Sequence, residues 1–178
     1  MCGVTGILNL DNTPVLSNLL SNMTDMLFHR GPDDKGTYIN HNIGLGHTRL
    51  SIIDLTSAGH QPMMDDDGRY VISYNGEVYN FIELKSELIE LGYKFISRTD
   101  SEVVLKSISH WGLSAVKKFN GMFAFALWDN KEKLLHLFRD RFGIKPLYYY
   151  QAKKVVLFAS EFKAFLVHKE FENKLDKY

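Results

Sequence analysis

One cysteine is all the chain carries, so no intrachain disulfide can close, and stability must come from a hydrophobic core. Net charge is missing too: 21 basic and 21 acidic residues are mixed along 178 positions, which leaves no electrostatic footprint for nucleic acid or an anionic membrane surface. No stretch approaches the ~18 consecutive apolar residues of a spanning helix, and no apolar leader precedes the cysteine. The histidines (His29, His41, His47, His60, His110, His136 and His168) lack the close pairing of zinc ligands. Gly44-Leu45-Gly46 is too short for a dinucleotide fingerprint, and no phosphate-binding loop occurs. These absences predict a cytoplasmic protein with no nucleic-acid or membrane partner, no metal site and no cofactor of its own.

What is present is an ordinary globular composition, 45% hydrophobic and 13% aromatic, in a length that suits one domain with a full core. Residues 4–10 read as a buried strand closed by the turn Asp11-Asn12-Thr13-Pro14, with Thr13 as a helix cap and Pro14 in the first helical position. Apolar residues at Leu16, Leu19, Leu20, Met23, Met26 and Leu27 then predict a helix, broken at Gly31-Pro32. Strands follow over 36–39, 43–51 and 69–75. Asn80 and Glu83 form a capping-box pattern for a helix that ends at Gly92, and a second helix fits 101–111, capped by Thr99 or Asp100. The last third predicts strands over 121–128, 134–139, 147–150 and 155–159, then a helix over 160–167. Met122-Phe123-Ala124-Phe125-Ala126-Leu127-Trp128 has no polar member, so this strand must be covered on both faces. The expected fold is α+β: a four-layer αββα sandwich of two mainly antiparallel sheets with outer helices. Residues 169–178 read as a charged departing linker.

The cysteine stands second, in Met1-Cys2-Gly3. Cys2 is small enough for an aminopeptidase to remove Met1, after which one residue holds a thiol and a free α-amine. The two groups have ordinary pKa values of about 8.5 and 8, so proton transfer between them is nearly isoenergetic, and a nucleophile and its base share one carbon. A lone cysteine is also, commonly, a small buried hydrophobe. A thiol attacking an amide needs donors for the oxyanion, and Asn75-Gly76 supplies a side-chain amide and an approachable backbone N–H. The same pair is the strongest short signal for a type I′ hairpin turn. Arg49 and Asp100 match the carboxylate and ammonium of an amino acid, though a surface ion pair and a helix cap account for them equally well.

Taken together, Met1-Cys2-Gly3-Val4-Thr5-Gly6-Ile7, His29-Arg30-Gly31-Pro32-Asp33, His47-Thr48-Arg49-Leu50-Ser51-Ile52-Ile53-Asp54, Tyr74-Asn75-Gly76-Glu77-Val78-Tyr79-Asn80 and Thr99-Asp100-Ser101-Glu102 resemble one family. It is the class II glutamine amidotransferase domain, an N-terminal nucleophile hydrolase, in the version at the front of glutamine-dependent asparagine synthetase. Residues 139–149 and Phe158-Ala159-Ser160-Glu161 match that version too, and Leu50-Ser51-Ile52-Ile53-Asp54 after Arg49 separates it from sugar-phosphate aminotransferases. The resemblance implies Cys2 as nucleophile with its own α-amine as base, and Asn75 and Gly76 as the oxyanion hole. It implies Arg49 for the glutamine α-carboxylate and Asp100 for the α-ammonium. Leu50, Ser51, Ile52, Ile53 and Glu77 would complete the pocket. Arg30 either orients the Cys2 end or only stabilises its turn, and residues 139–150 are either a structural turn or a face toward the ammonia-using domain.

The resemblance further implies a domain over 2–168 that hydrolyses L-glutamine, a linker from 169, and a following synthetase domain that alone uses ATP and magnesium. It leaves a homodimer open. The rival readings are a related domain serving another acceptor, an N-terminal nucleophile hydrolase with another amide substrate, and a non-catalytic glutamine-binding module.

Overall fold

A computed structural model describes residues 1–173. The chain runs through β1 (Gly3–Asn9), α1 (Ser17–Asp25), β2 (Asp34–Asn40), β3 (Ile43–Arg49), β4 (Met63–Met64) and β5 (Tyr70–Val78). It continues through α2 (Phe81–Glu90), α3 (Asp100–Trp111), β6 (Gly121–Asp129), β7 (Leu134–Arg139), β8 (Tyr148–Gln151) and β9 (Val155–Ala159). The strands form two sheets, ordered β2-β3-β1-β9-β8 and β4-β5-β6-β7, and every pairing within them is antiparallel.

Three apolar clusters define the layers. Ile7, Leu157 and Ala159 of the first sheet pack under Leu20, Met23 and Leu27 of the α1 region and Phe165 of a 3-10 turn, Phe162–Val167. Ile72, Phe125 and Leu127 of the second sheet pack under Leu84 and Leu88 of α2 and Val104 and Ile108 of α3. Between the sheets lie Val4, Ile43, Leu45, Val71, Ala126, Trp128 and Phe158. Strand β6 therefore has Phe123, Phe125 and Leu127 toward the helices and Ala126 and Trp128 toward the other sheet. The all-apolar run required this double cover, and the four-layer αββα arrangement follows from it.

Several local expectations are corrected. Thr13 does not cap α1: its N–H and hydroxyl both donate to Asp11 Oδ1, at 3.2 and 2.7 Å, and the helix opens later, after Leu16. Asn80 flanks α2, but its side chain bonds Lys118 O and Asn120 N, bracing the start of β6. Asn75-Gly76 is no hairpin turn. Strand β5 continues through both to Val78, because β6 offers nine residues in unbroken register from Asp129 to Gly121. The last expected helix is a 3-10 turn. At the C-terminal end, Phe171 stacks near Tyr150 and Phe165, with ring centroids 4.9 and 5.5 Å away. Residues 174–178 of the expected linker lie outside the described residues.

Candidate active site

Cys2 sits at the lip of β1, the middle strand of its sheet, which is hydrogen-bonded on one side to β3 and on the other to β9. Such a strand has no free edge, so the residue before it is held in place. Three further contacts fix this end. Arg30 Nε donates to Cys2 O at 2.9 Å, Ser160 Oγ accepts from Val4 N–H at 3.0 Å, and Leu50 N–H points at Cys2 Sγ at 3.4 Å. Arg30 is itself anchored, through a 2.8 Å bond from Nη1 to Glu161 Oε1. Burial pushes the Cys2 thiol up, against the opposing pull of the Leu50 N–H, the N-terminal ammonium and Arg49. The thiol thus needs a base beside it to ionise at neutral pH.

Cys2 opens into a cavity of about 300 Å³ between the ends of the two sheets. Asn75 and Gly76 form its opposite wall. The Asn75 side chain faces the first sheet, as Ser73 two residues earlier does by donating to Gly46 O, and Asn75 Nδ2 is buried with no partner. A buried, unsatisfied donor in a well-packed strand calls for an explanation, and a substrate oxygen supplies one. The Gly76 N–H is free on geometric grounds. Its cross-strand neighbour Phe123 spends both N–H and C=O on Asp140, so the Gly76–Phe123 pair is of the non-hydrogen-bonded kind and the Gly76 N–H turns away from β6. Only glycine fits there, since a Cβ would lie 2.7 Å from both Met122 O and Tyr74 Oη.

Two unpaired charges flank the cavity. Arg49, 6% exposed at the end of β3, donates to Thr56 O at 2.8 Å and to Asp54 O, both backbone carbonyls, and has no carboxylate at ion-pair distance among the described residues. Its guanidinium is pressed against Gly59, where any Cβ would collide with Nη2. The Asp54 carboxylate ties this loop down by accepting from Thr56 Oγ1 and N–H and from Arg98 N–H, and these bonds hold it at about 2. Asp100, 5% exposed in the first turn of α3, accepts from Tyr74 Oη at 2.6 Å and Val78 N–H at 2.9 Å, both neutral donors. Thr99 is the helix cap, accepting from Glu102 N–H, which leaves Asp100 free to face the cavity. Burial pushes its carboxyl up, against those two bonds, and pushes the Tyr74 phenol well above its usual range.

Of the residues expected from sequence, Cys2, Arg49, Leu50, Ile52, Ile53, Asn75, Gly76, Glu77 and Asp100 line this one cavity. Ser51 does not: its N–H is spent on Asp33 Oδ2 at 2.8 Å, stitching the Pro32 turn to the end of β3. Sequence reasoning passed over four supporting residues. Gln61 Oε1 accepts from Tyr74 N–H at 2.7 Å, extending the short β4 ladder alongside β5. His47, wholly buried between the sheets and lowered by that burial to about 4, donates Nε2–H to Tyr74 O at 3.0 Å. Lys145 and Met122 also line the cavity. Residues scattered over two strands and two loops leave no periodic signal, and only the fold brings them together.

Glu161 gives the site an acid-sensitive support. It accepts from Arg30 and His29 and is ion-paired with Lys163 at 3.4 Å, and although burial would raise its pKa, the Arg30 and His29 bonds hold it at about 2 against an ordinary value of 4.5. Between those values the unfolded chain binds the proton and the folded chain does not. The stabilisation is therefore complete above about pH 4.5 and is lost as pH falls toward 2. Urea unfolding of wild type and Glu161→Gln should give a stability difference that shrinks through this window. A difference that stays constant from pH 6 to 2.5 would remove Glu161 from the acid response.

The site thus places a half-buried thiol next to the chain start, opposite unspent amide donors and between a cation and an anion that have no charged partner among the described residues. The chain belongs to the glutamine amidotransferase domain family, whose model matches residues 1–178. It is 44% identical to asparagine synthetase [glutamine-hydrolyzing] 1 of Bacillus subtilis, with 94% of this chain and 27% of that protein covered. It is 40% identical to Amidase chry2 of Gibberella zeae, with 93% and 26% covered. Among solved structures, glutamine phosphoribosylpyrophosphate amidotransferase from B. subtilis has the same fold, with a TM-score of 0.80 at 20% identity over 93% of this chain and 43% of that one. The chain spans about a quarter to a third of the length of the curated relatives it matches.

Proposed function

We propose that this domain, once Met1 is removed, hydrolyses L-glutamine to glutamate and ammonia through a Cys2 thioester. The observation that carries this reading is that Arg49 and Asp100, opposite charges without a charged partner among the described residues, line the same cavity as Cys2 and Asn75, which complements a zwitterion bearing an amide. The Cys2 sulfur attacks the amide carbon, and its thiol proton passes to the α-amine of the same residue. The carbonyl oxygen, now negative, accepts from Asn75 Nδ2 and Gly76 N–H. On collapse, the α-ammonium gives its proton to the departing nitrogen, ammonia leaves, and water then hydrolyses the thioester to glutamate.

In the larger protein the ammonia serves a synthetase domain making asparagine in the cytoplasm. ATP and magnesium are assigned to that domain and no cofactor to this one. A relative named Amidase chry2 aligns over 93% of this chain, and a related domain serving another acceptor is the second reading. The face assigned to the partner domain is the loop beyond β7, where Phe142 is 89% and Ile144 57% exposed.

The test is an intact mass and a glutaminase assay on one sample: mass lacking Met1 with glutamate released supports the reading. Processed protein, supplied with its partner domain and still inert toward glutamine, would sink it. Arg49→Ala should raise the KM for glutamine on the order of 100-fold with a smaller change in kcat, since a charge-assisted anchor acts on ground and transition states alike. An unchanged KM removes Arg49 from substrate binding.

A further inference from the structure

The loop after β7 is built with unusual care for a connection. The Asp140 carboxylate accepts from the N–H groups of Phe142, Ile144, Lys145 and Phe123, at 2.9 to 3.2 Å. Arg139 closes it from the other side by donating to Gly143 O and Lys145 O, at 2.7 and 2.8 Å. Gly143, at φ +64, permits the tight reversal. While Phe142 and Ile144 point outward, Lys145 is 7% exposed and lines the Cys2 cavity. Its ammonium has no ion pair among the described residues. The loop hangs from Phe123, the cross-strand neighbour of Gly76, so Lys145 enters from the oxyanion side.

Glutamine brings one carboxylate and one ammonium, which Arg49 and Asp100 match. Lys145 is then a surplus buried cation, since Glu77, the remaining acid facing the cavity with a free carboxylate, is exposed at the rim. Glutamate differs from glutamine by one further negative charge, shared by the two oxygens on the carbon that was bonded to Cys2. We infer that Lys145 is the binding residue for the γ-carboxylate of the glutamate product, so that the cavity retains glutamate more strongly than an Arg49–Asp100 pair alone would. This rests on the glutamine reading above.

The experiment is calorimetric binding of glutamine and glutamate to Cys2→Ala protein, with and without Lys145→Met, which keeps the unbranched apolar stem without the ammonium and leaves the loop's backbone bonds intact. Lys145→Met should weaken glutamate about 10-fold or more and glutamine less than about 2-fold, and Lys145→Arg should restore most of the glutamate affinity. Equal loss for both ligands, or loss for neither, overturns the role of Lys145. Cys2→Ala protein with Lys145 intact that binds neither ligand points instead to failure of the glutamine reading, and the assignment of Lys145 falls with it.

Discussion

Cys2→Ala is expected to lower glutamine hydrolysis by about four orders of magnitude or more while glutamine still binds with near-normal affinity. The first part follows from chemistry: no other thiol exists in the chain, and loss of a covalent nucleophile typically removes ~10⁴-fold or more of rate. The second follows from geometry. The charges proposed to bind glutamine, Arg49 and Asp100, are on β3 and α3, and neither is bonded to Cys2. The thiol's own structural bonds are weak, a 3.4 Å approach from Leu50 N–H and a 3.8 Å contact to Leu50 O, so its removal leaves the wall standing. Alanine is also small enough for Met1 to be removed, which keeps the α-amine in place. Glutamate release by an assay coupled to its oxidation, and calorimetric glutamine binding, measure the two halves. Residual turnover within 100-fold of wild type would exclude Cys2 as the nucleophile.

Much of this site was legible because each role needs a residue type that is rare in its place. The cysteine at position 2 and the arginine after His-Thr each have a structural reading of their own, and it is their occurrence together with Asn75-Gly76 and Asp100 that points to one site. Short apolar-rich segments located β7 and β9 to the residue, and glycines at φ +92 and +68 ended α2 and α3 where expected. Legibility failed where local signals competed with tertiary ones. Asn75-Gly76 reads locally as a turn, and only nine residues of β6 in register make it strand. Asp100 reads as a helix cap, and only the Tyr74 hydroxyl and Val78 N–H arriving from β5 show why Thr99 takes that duty instead. His47 and Gln61, which both grip the backbone of Tyr74, were invisible because their partner is a main-chain group about 27 or 13 positions away.

These grips on Tyr74 bear on the second large effect, that Asn75→Ala should lower kcat by about 100 to 1,000-fold with KM changed by less than about 3-fold. Asn75 Nδ2 has no partner in the folded chain, so its removal costs no existing bond and little stability is at stake. In the proposed role, what disappears is a donor whose bond strengthens as the carbonyl oxygen becomes negative, and an interaction strongest in the transition state appears in kcat. The donor is effective because it is already in place. Gln61 holds the Tyr74 N–H and His47 the Tyr74 C=O, so the residue before Asn75 cannot shift when charge develops. Asn75→Asp sharpens the test, since it preserves shape but puts an acceptor where the oxyanion forms and should be at least as impaired as alanine. Steady-state kinetics of both variants decide the matter: a rise in KM with kcat intact would make Asn75 a substrate anchor, and the oxyanion role would pass to Gly76 N–H alone.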